Sequence, residues 1–154
     1  MILMDVLGVR LEMPTRQPLV LLKESQGTRY IPIWIGAVEA TAIAQAHQGL
    51  TGARPQTHEL MASLLEAFDQ ELLAVHITSV DDGIFYAELI FESDVRVEAR
   101  PSDSIALALR TGAPVWCANE VLEAAGIVDE SETDDEIERF REFLDEVEPS
   151  DFDQ

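Results

Sequence analysis

The stretch that most limits how this chain can fold is Glu98-Ala99-Arg100-Pro101-Ser102-Asp103-Ser104-Ile105-Ala106-Leu107-Ala108-Leu109-Arg110. Residues 103–110 are apolar on nearly every side, and a helix without a polar face has to be buried. The residues before them have strand character and end at Pro101, which stiffens the corner. Ser102 is expected to cap the helix at its start, and Gly112 to follow its end. A strand therefore hands an arginine to the mouth of a buried helix. Burying such a helix takes a layered fold, with a sheet or other helices beside it.

The rest of the chain supplies that sheet. Apolar, partly β-branched segments predict strands over 2–13, 19–24 and 29–35, with Gly8 as a bulge and Pro32 as an edge or bulge position. Asp81-Asp82-Gly83 reads as a three-residue hairpin loop between strands 73–80 and 84–91, because glycine supplies positive φ. Further strands are expected over 95–99 and 114–117. Helices are expected over 37–48, closed by Gly49; over 58–70, capped by Thr57; and over 120–125, capped by Asn119 and stopped by Gly126. Leu60, Leu64, Leu65 and Phe68 form the apolar stripe expected to bury the second of these. The alanines at 37, 40, 42, 44 and 46 permit close packing of the first. The fold class is α+β, with a mixed, largely antiparallel sheet packed against three or four helices.

Charge divides the chain. The net charge is −20 over 154 residues. Residues 129–154 hold 13 acids and 2 arginines, whereas residues 1–128 hold 17 acids and 8 bases. The expected organisation is a domain over 1–128 that folds by itself and an acidic tail over 129–154. Residues 128–135 read as a linker, and Ile137, Phe140, Phe143, Leu144 and Val147 lie at helical spacing in the tail. Lys23 is the single lysine, so a broad basic footprint for duplex nucleic acid is missing. Any phosphate would have to be held locally, by arginines, helix N-termini or a metal ion. No apolar run approaches the roughly 18 residues that span a bilayer, and no basic segment opens the chain. With one cysteine, Cys117, no internal disulfide forms, and its apolar neighbours give it the character of a small buried hydrophobe. A cytoplasmic location is expected.

Three segments carry the candidate chemistry. In Pro32-Ile33-Trp34-Ile35-Gly36-Ala37-Val38-Glu39-Ala40 a strand runs through glycine into a helix. Glu39 there is either a metal ligand or general base, or an acid complementing the helix dipole. In Arg54-Pro55-Gln56-Thr57-His58-Glu59-Leu60, His58 is either a general acid or ligand, or a half-exposed residue of a helix start. His47 and His76 read as structural. In the third segment Arg100 and the N–H groups of the buried helix form an anion site, with Asp103 available to a metal. Alternatively, Arg100 and Asp103 pair and hold the corner rigid.

These blocks, in this order, resemble the bifunctional nuclease domain family. The matching residues are Ile35-Gly36 with Glu39-Ala40 and Ala42-Ile43; Arg54-Pro55 with Thr57-His58-Glu59-Leu60; Asp82 to Ala87 with Leu89; Ala99 to Arg110; and Val121-Leu122 with Ala125-Gly126. Glu59 stands where the family pattern has aspartate, Ile84 for threonine, Ala99 for serine and Ser104 for alanine. The resemblance covers about residues 1–128. It implies an α+β fold and, for some members, cleavage of both RNA and DNA. On that basis the expected activity is phosphodiester hydrolysis on single-stranded nucleic acid. Glu39, Asp103 and Glu59 would hold Mg2+ or Mn2+, His58 would move a proton, and Arg100, with Arg54 and Ser102, would bind the substrate phosphate. The competing expectation is a non-enzymatic oligomeric module that binds an anionic ligand or a protein partner. A homo-oligomer is expected on either view.

Overall fold

The computed structural model describes residues 1–128, so the acidic tail and the helical spacing at 135–147 lie outside the described residues. The described residues form an α+β fold. Eight strands make one sheet: β1 (Ile2–Glu12), β2 (Gln17–Glu24), β3 (Arg29–Trp34), β4 (Ala74–Asp81), β5 (Ile84–Ile90), β6 (Arg96–Ala99), β7 (Val115–Cys117) and β8 (Ile127–Val128). Their order across the sheet is β6-β5-β4-β7-β1-β2-β3-β8. Only β4 and β7 run parallel; every other pair is antiparallel. The chain enters this sheet twice, once as β1–β3 and once as β4–β6, and β7 joins the two halves.

Local chemistry accounts for the irregular points. The register of β1 against β2 shifts between Val6 and Gly8, and Gly8 has φ +127°. The bulge read from the sequence is there, and the His47 ring lies over it. Pro32 pairs with Leu21 of β2 on one side, while β8 reaches only Arg29 and Tyr30 on the other. The proline's missing N–H therefore costs no ladder bond. The hairpin between β4 and β5 is shorter than expected: Asp81 pairs with Ile84, leaving Asp82 and Gly83, both with positive φ, as a two-residue turn. The short strand β8 falls where a linker was expected to begin.

Among the described residues four helices accompany the sheet: α1 (Ala37–His47), α2 (Thr57–Ala67), α3 (Pro101–Thr111) and α4 (Asn119–Ala125). As its composition requires, α3 is the buried one; Ile105, Ala106, Leu107 and Ala108 are each at most 2% exposed. It packs against α1, whose Ala40, Ile43 and Ala44 sit in the same core. The alanines of α1 thus serve packing within the fold. Leu22, Ile31, Ile77 and Leu122 complete the centre of that core. Cys117 is buried in it, as expected.

Three caps fall one or two residues earlier than the sequence suggested. Pro101 takes the first helical position of α3, where its fixed φ suits the helix and its lack of an N–H is harmless. The cap position therefore passes to Arg100, and Ser102 is the second helical residue, buried and without a capping hydrogen bond. Ser104, fully buried, ties the corner instead by donating its hydroxyl to the Arg100 carbonyl at 2.9 Å. Likewise Gln56 precedes α2 and Ala118 precedes α4, so Thr57 and Asn119 are first helical residues. Helix α2 also turns a different face inward. Met61, Ala62 and Leu65 pack on the core, while Leu60, Leu64 and Phe68 of the expected stripe are exposed. Helix α2 leans on α3 along one side, and among the described residues Leu60, Leu64 and Phe68 are left exposed on it. No helix among the described residues is long and apolar enough to cross a membrane.

Candidate active site

The first turns of α1, α2 and α3 meet at one place. Glu39 is the third residue of α1, His58 the second of α2 and Asp103 the third of α3, and Arg100 is the cap residue of α3. Arg100 Nη1 donates to Glu39 Oε1 at 3.1 Å, and Arg100 Nε donates to Asp103 Oδ2 at 2.9 Å. The other Asp103 oxygen, Oδ1, lies 3.1 Å from His58 Nε2. Four of the sequence candidates therefore form one chain of contacts, Glu39–Arg100–Asp103–His58, drawn from segments 61 and 45 residues apart.

Exposure differs sharply along that chain. The Arg100 side chain is 64% exposed, whereas those of Glu39, Asp103 and His58 are 23%, 33% and 14% exposed. The carboxylates and the imidazole are thus held in the wall, and the guanidinium stands out from it. Arg100 pairs with Asp103, and its side chain is exposed. Burial pushes the Asp103 carboxyl up, but hydrogen bonds from Arg100 and His58, with their charges, outweigh it and hold the group below the ordinary carboxylate value. The Arg100 guanidinium is held above its ordinary value, chiefly by the hydrogen bond and charge of Asp103 and then by Glu39.

Two clefts open on either side of Arg100. One, of about 580 Å³, runs from Trp34 and Ile84 to Glu39, Arg100 and Ser102. The other, of about 530 Å³, lies between α1 and the start of α2 and includes His58 and Asp103. Glu39 and Arg100 line both. None of the three helices has a side-chain cap. The N–H groups ahead of Ala40, Leu60 and Ser104, the first donors within each helix, have no helical partner. Such helix ends carry partial positive charge. Gly36 permits the arrangement on α1, because a Cβ there would collide with the Glu39 carboxylate.

The remaining candidates lie elsewhere. Glu59, next to His58, turns to the far side of α2, where its Oε1 is buried without a hydrogen bond, 3.7 Å from Arg110 Nη2. Arg110 also donates to the Leu50 carbonyl at 2.7 Å, so this pair fastens α2 and its preceding loop to α3. Arg54 stands in the exposed loop before α2 and lines neither cleft. Ser102 lines the Trp34 cleft but is itself buried. Among the described residues, no group of three or more His, Cys, Asp or Glu side chains is placed to hold a metal ion. The Arg100 guanidinium occupies the gap between Glu39 and Asp103, so these residues do not fit a divalent ion as they stand. His47 and His76 are apart from the cluster, as expected; His76 is lowered by burial and by Arg96.

A family model for the bifunctional nuclease domain matches residues 20–130. The chain belongs to the bifunctional nuclease domain family. The match contains all three helix starts of the Glu39–Arg100–Asp103–His58 cluster. Two uncharacterized proteins of Mycobacterium tuberculosis, from the CDC 1551 and H37Rv strains, are each 47% identical over 156 residues, covering 96% of this chain and 95% of theirs. Similarity to these relatives thus extends beyond the nuclease domain match into the acidic tail. Trp34 is the residue at this bifunctional nuclease domain site that sequence reasoning passed over. The clue was available, since a tryptophan at the end of a strand, just before Gly36, stands beyond the residues that β8 covers.

Proposed function

We propose that this bifunctional nuclease domain hydrolyses phosphodiester bonds of RNA or DNA at the cluster of Glu39, His58, Arg100 and Asp103. The observation that carries the reading is the exposed Arg100 standing where two clefts meet, with an oriented histidine joined to it through Asp103. A phosphate that enters this junction meets a guanidinium suited to bidentate contact and the free N–H groups of the α3 start. With Nε2–H held by Asp103, the other ring nitrogen of His58 is left with the lone pair that can take up the proton of an attacking water. Asp103 then stabilises the resulting imidazolium, while Arg100 and the helix ends offset charge on the phosphoryl oxygens.

We derive no step through a metal ion. Mg2+ or Mn2+ at Glu39 and Asp103 would have to displace the Arg100 guanidinium, so both ions enter as variables of the assay. Fluorogenic RNA and DNA oligonucleotides, incubated with wild type, Asp103→Ala and His58→Gln with and without each ion, test the proposal. Turnover by wild type that falls at least about 100-fold in both variants supports it.

A second reading is a cytoplasmic, non-enzymatic homo-oligomer that binds an anionic ligand or a protein partner. The exposed stripe Leu60, Leu64 and Phe68 on α2 favours association, and the pairing of Arg100 with Glu39 and Asp103 gives that guanidinium a role in holding the corner. Light scattering at high micromolar concentration, with the same oligonucleotides as ligands, separates binding without turnover from catalysis.

A further inference from the structure

Trp34 is an unusual residue to leave open to water. It closes β3, it is 51% exposed, and it lines the cleft that Arg100 and Ser102 also line. Ile84, 58% exposed at the start of β5, and Phe85 stand on the same cleft. Among the described residues the strand is anchored by Ile31 and Ile33, which are buried, rather than by the indole. One cleft therefore carries both aromatic and cationic side chains in its lining, with a volume in the range of small-molecule sites.

We infer that Trp34 is a stacking platform for one unpaired nucleobase of the strand whose phosphate lies at Arg100. The inference rests on the nuclease reading above and narrows its substrate to single-stranded nucleic acid. An aromatic face binds any base, because every base has a π surface, and it needs the base to be out of a duplex. Charge points the same way. Residues 1–128 carry 17 acids against 8 bases, which denies a duplex the extended basic footprint that holds its two backbones. A single strand held by one stacked base and one phosphate contact asks for much less. A platform of this kind would accept either sugar, since neither stacking nor a guanidinium–phosphate contact senses a 2′-hydroxyl.

The test measures binding rather than turnover. A ten-nucleotide fluorescent oligothymidylate and a matched oligomer with abasic residues are titrated at low temperature, in EDTA, against wild type, Trp34→Ala, Trp34→Phe and Arg100→Ala. Trp34→Ala is expected to weaken binding of the base-containing strand about 5- to 150-fold, the range that stacking of one base on an aromatic side chain supplies. Trp34→Phe should restore most of it, and the abasic strand should bind wild type and Trp34→Ala equally weakly. In a Trp116→Phe background, the remaining indole emission should be quenched by the base-containing strand only. If Trp34→Ala does not fold, this quenching contrast decides alone. The inference is overturned if Arg100→Ala weakens binding while Trp34→Ala and the abasic strand do not; the nuclease reading then survives. If wild type binds neither strand and turns over neither RNA nor DNA, the nuclease reading itself has failed and takes the platform with it.

Discussion

Replacing Arg100 by alanine separates a functional corner from a structural one, and the geometry sets both magnitudes. Arg100 is 64% exposed and makes two ion pairs, to Glu39 at 3.1 Å and to Asp103 at 2.9 Å. Solvent screens pairs of this kind, and each contributes about 0–1 kcal/mol. The carboxylates left behind keep some access to water, and Asp103 keeps His58. For a chain of this size about 1 kcal/mol moves Tm by roughly 2–4 °C, so the expected fall is a few degrees. Loss of a charge placed on the reacting phosphate should lower turnover by about 10²–10³-fold, as removal of one preorganised donor does elsewhere. Differential scanning calorimetry and single-turnover cleavage, run on the same preparation, give the two numbers. The reasoning is refuted if Tm falls by more than about 10 °C while cleavage by the folded fraction is unchanged. That outcome would match a buried pair whose rupture costs about 3–5 kcal/mol.

Other consequences are as direct. Gly36→Ala should lower turnover with little loss of Tm, because a Cβ there displaces the Glu39 carboxylate from Arg100 while the backbone, at φ −79°, accepts alanine; wild-type turnover would remove Glu39 from the account. The Asp103 carboxyl is depressed on folding, so its contribution to stability is present above the unfolded value of about 3.9 and lost as pH falls through the lower folded value. The stability difference between wild type and Asp103→Asn, followed by chemical denaturation from pH 6 to pH 2.5, should therefore shrink towards acid, and a difference that grows would contradict the assignment. Burial pushes the Cys117 thiol up to about 12, so a thiol reagent at pH 8 should label the protein only after denaturation. Truncation after residue 128 should leave cooperative thermal unfolding intact, because β8 already closes the edge of the sheet at Ile127–Val128; a broad, non-cooperative melt would show that the tail completes the core.

What the sequence disclosed, and what it withheld, follows the range of the forces involved. Helix α3 could be read because an apolar run leaves no face for water, and burial decided the matter. The Gly8 bulge and the Asp82-Gly83 turn could be read because backbone conformation is a local property. The α3 cap was displaced because Pro101 competes with Ser102 for the start of that helix, and fixed φ outweighed hydroxyl capping. The stripe on α2 was misassigned because Leu60, Leu64 and Leu65 all fit a helical spacing, and only the position of α3 selects which of them turns inward. The site was legible as a set of residue types, in Glu39, His58, Arg100 and Asp103, but not as a contact chain. No spacing rule brings Glu39 to Arg100 across 61 residues; the sheet order β4-β7-β1 does. Glu59 shows the same limit, since one position along α2 turns it from the cluster to Arg110.

The central claim is that the Glu39–Arg100–Asp103–His58 chain cleaves nucleic acid. The most direct measurement is initial-rate cleavage of a fluorogenic single-stranded oligonucleotide by wild type and Asp103→Ala, purified identically and assayed in EDTA, Mg2+ and Mn2+. The account predicts cleavage by wild type in at least one condition and a loss of at least about 100-fold in Asp103→Ala, with its Tm within a few degrees of wild type. Equal rates in the two proteins, or no cleavage by wild type in any condition, would contradict it.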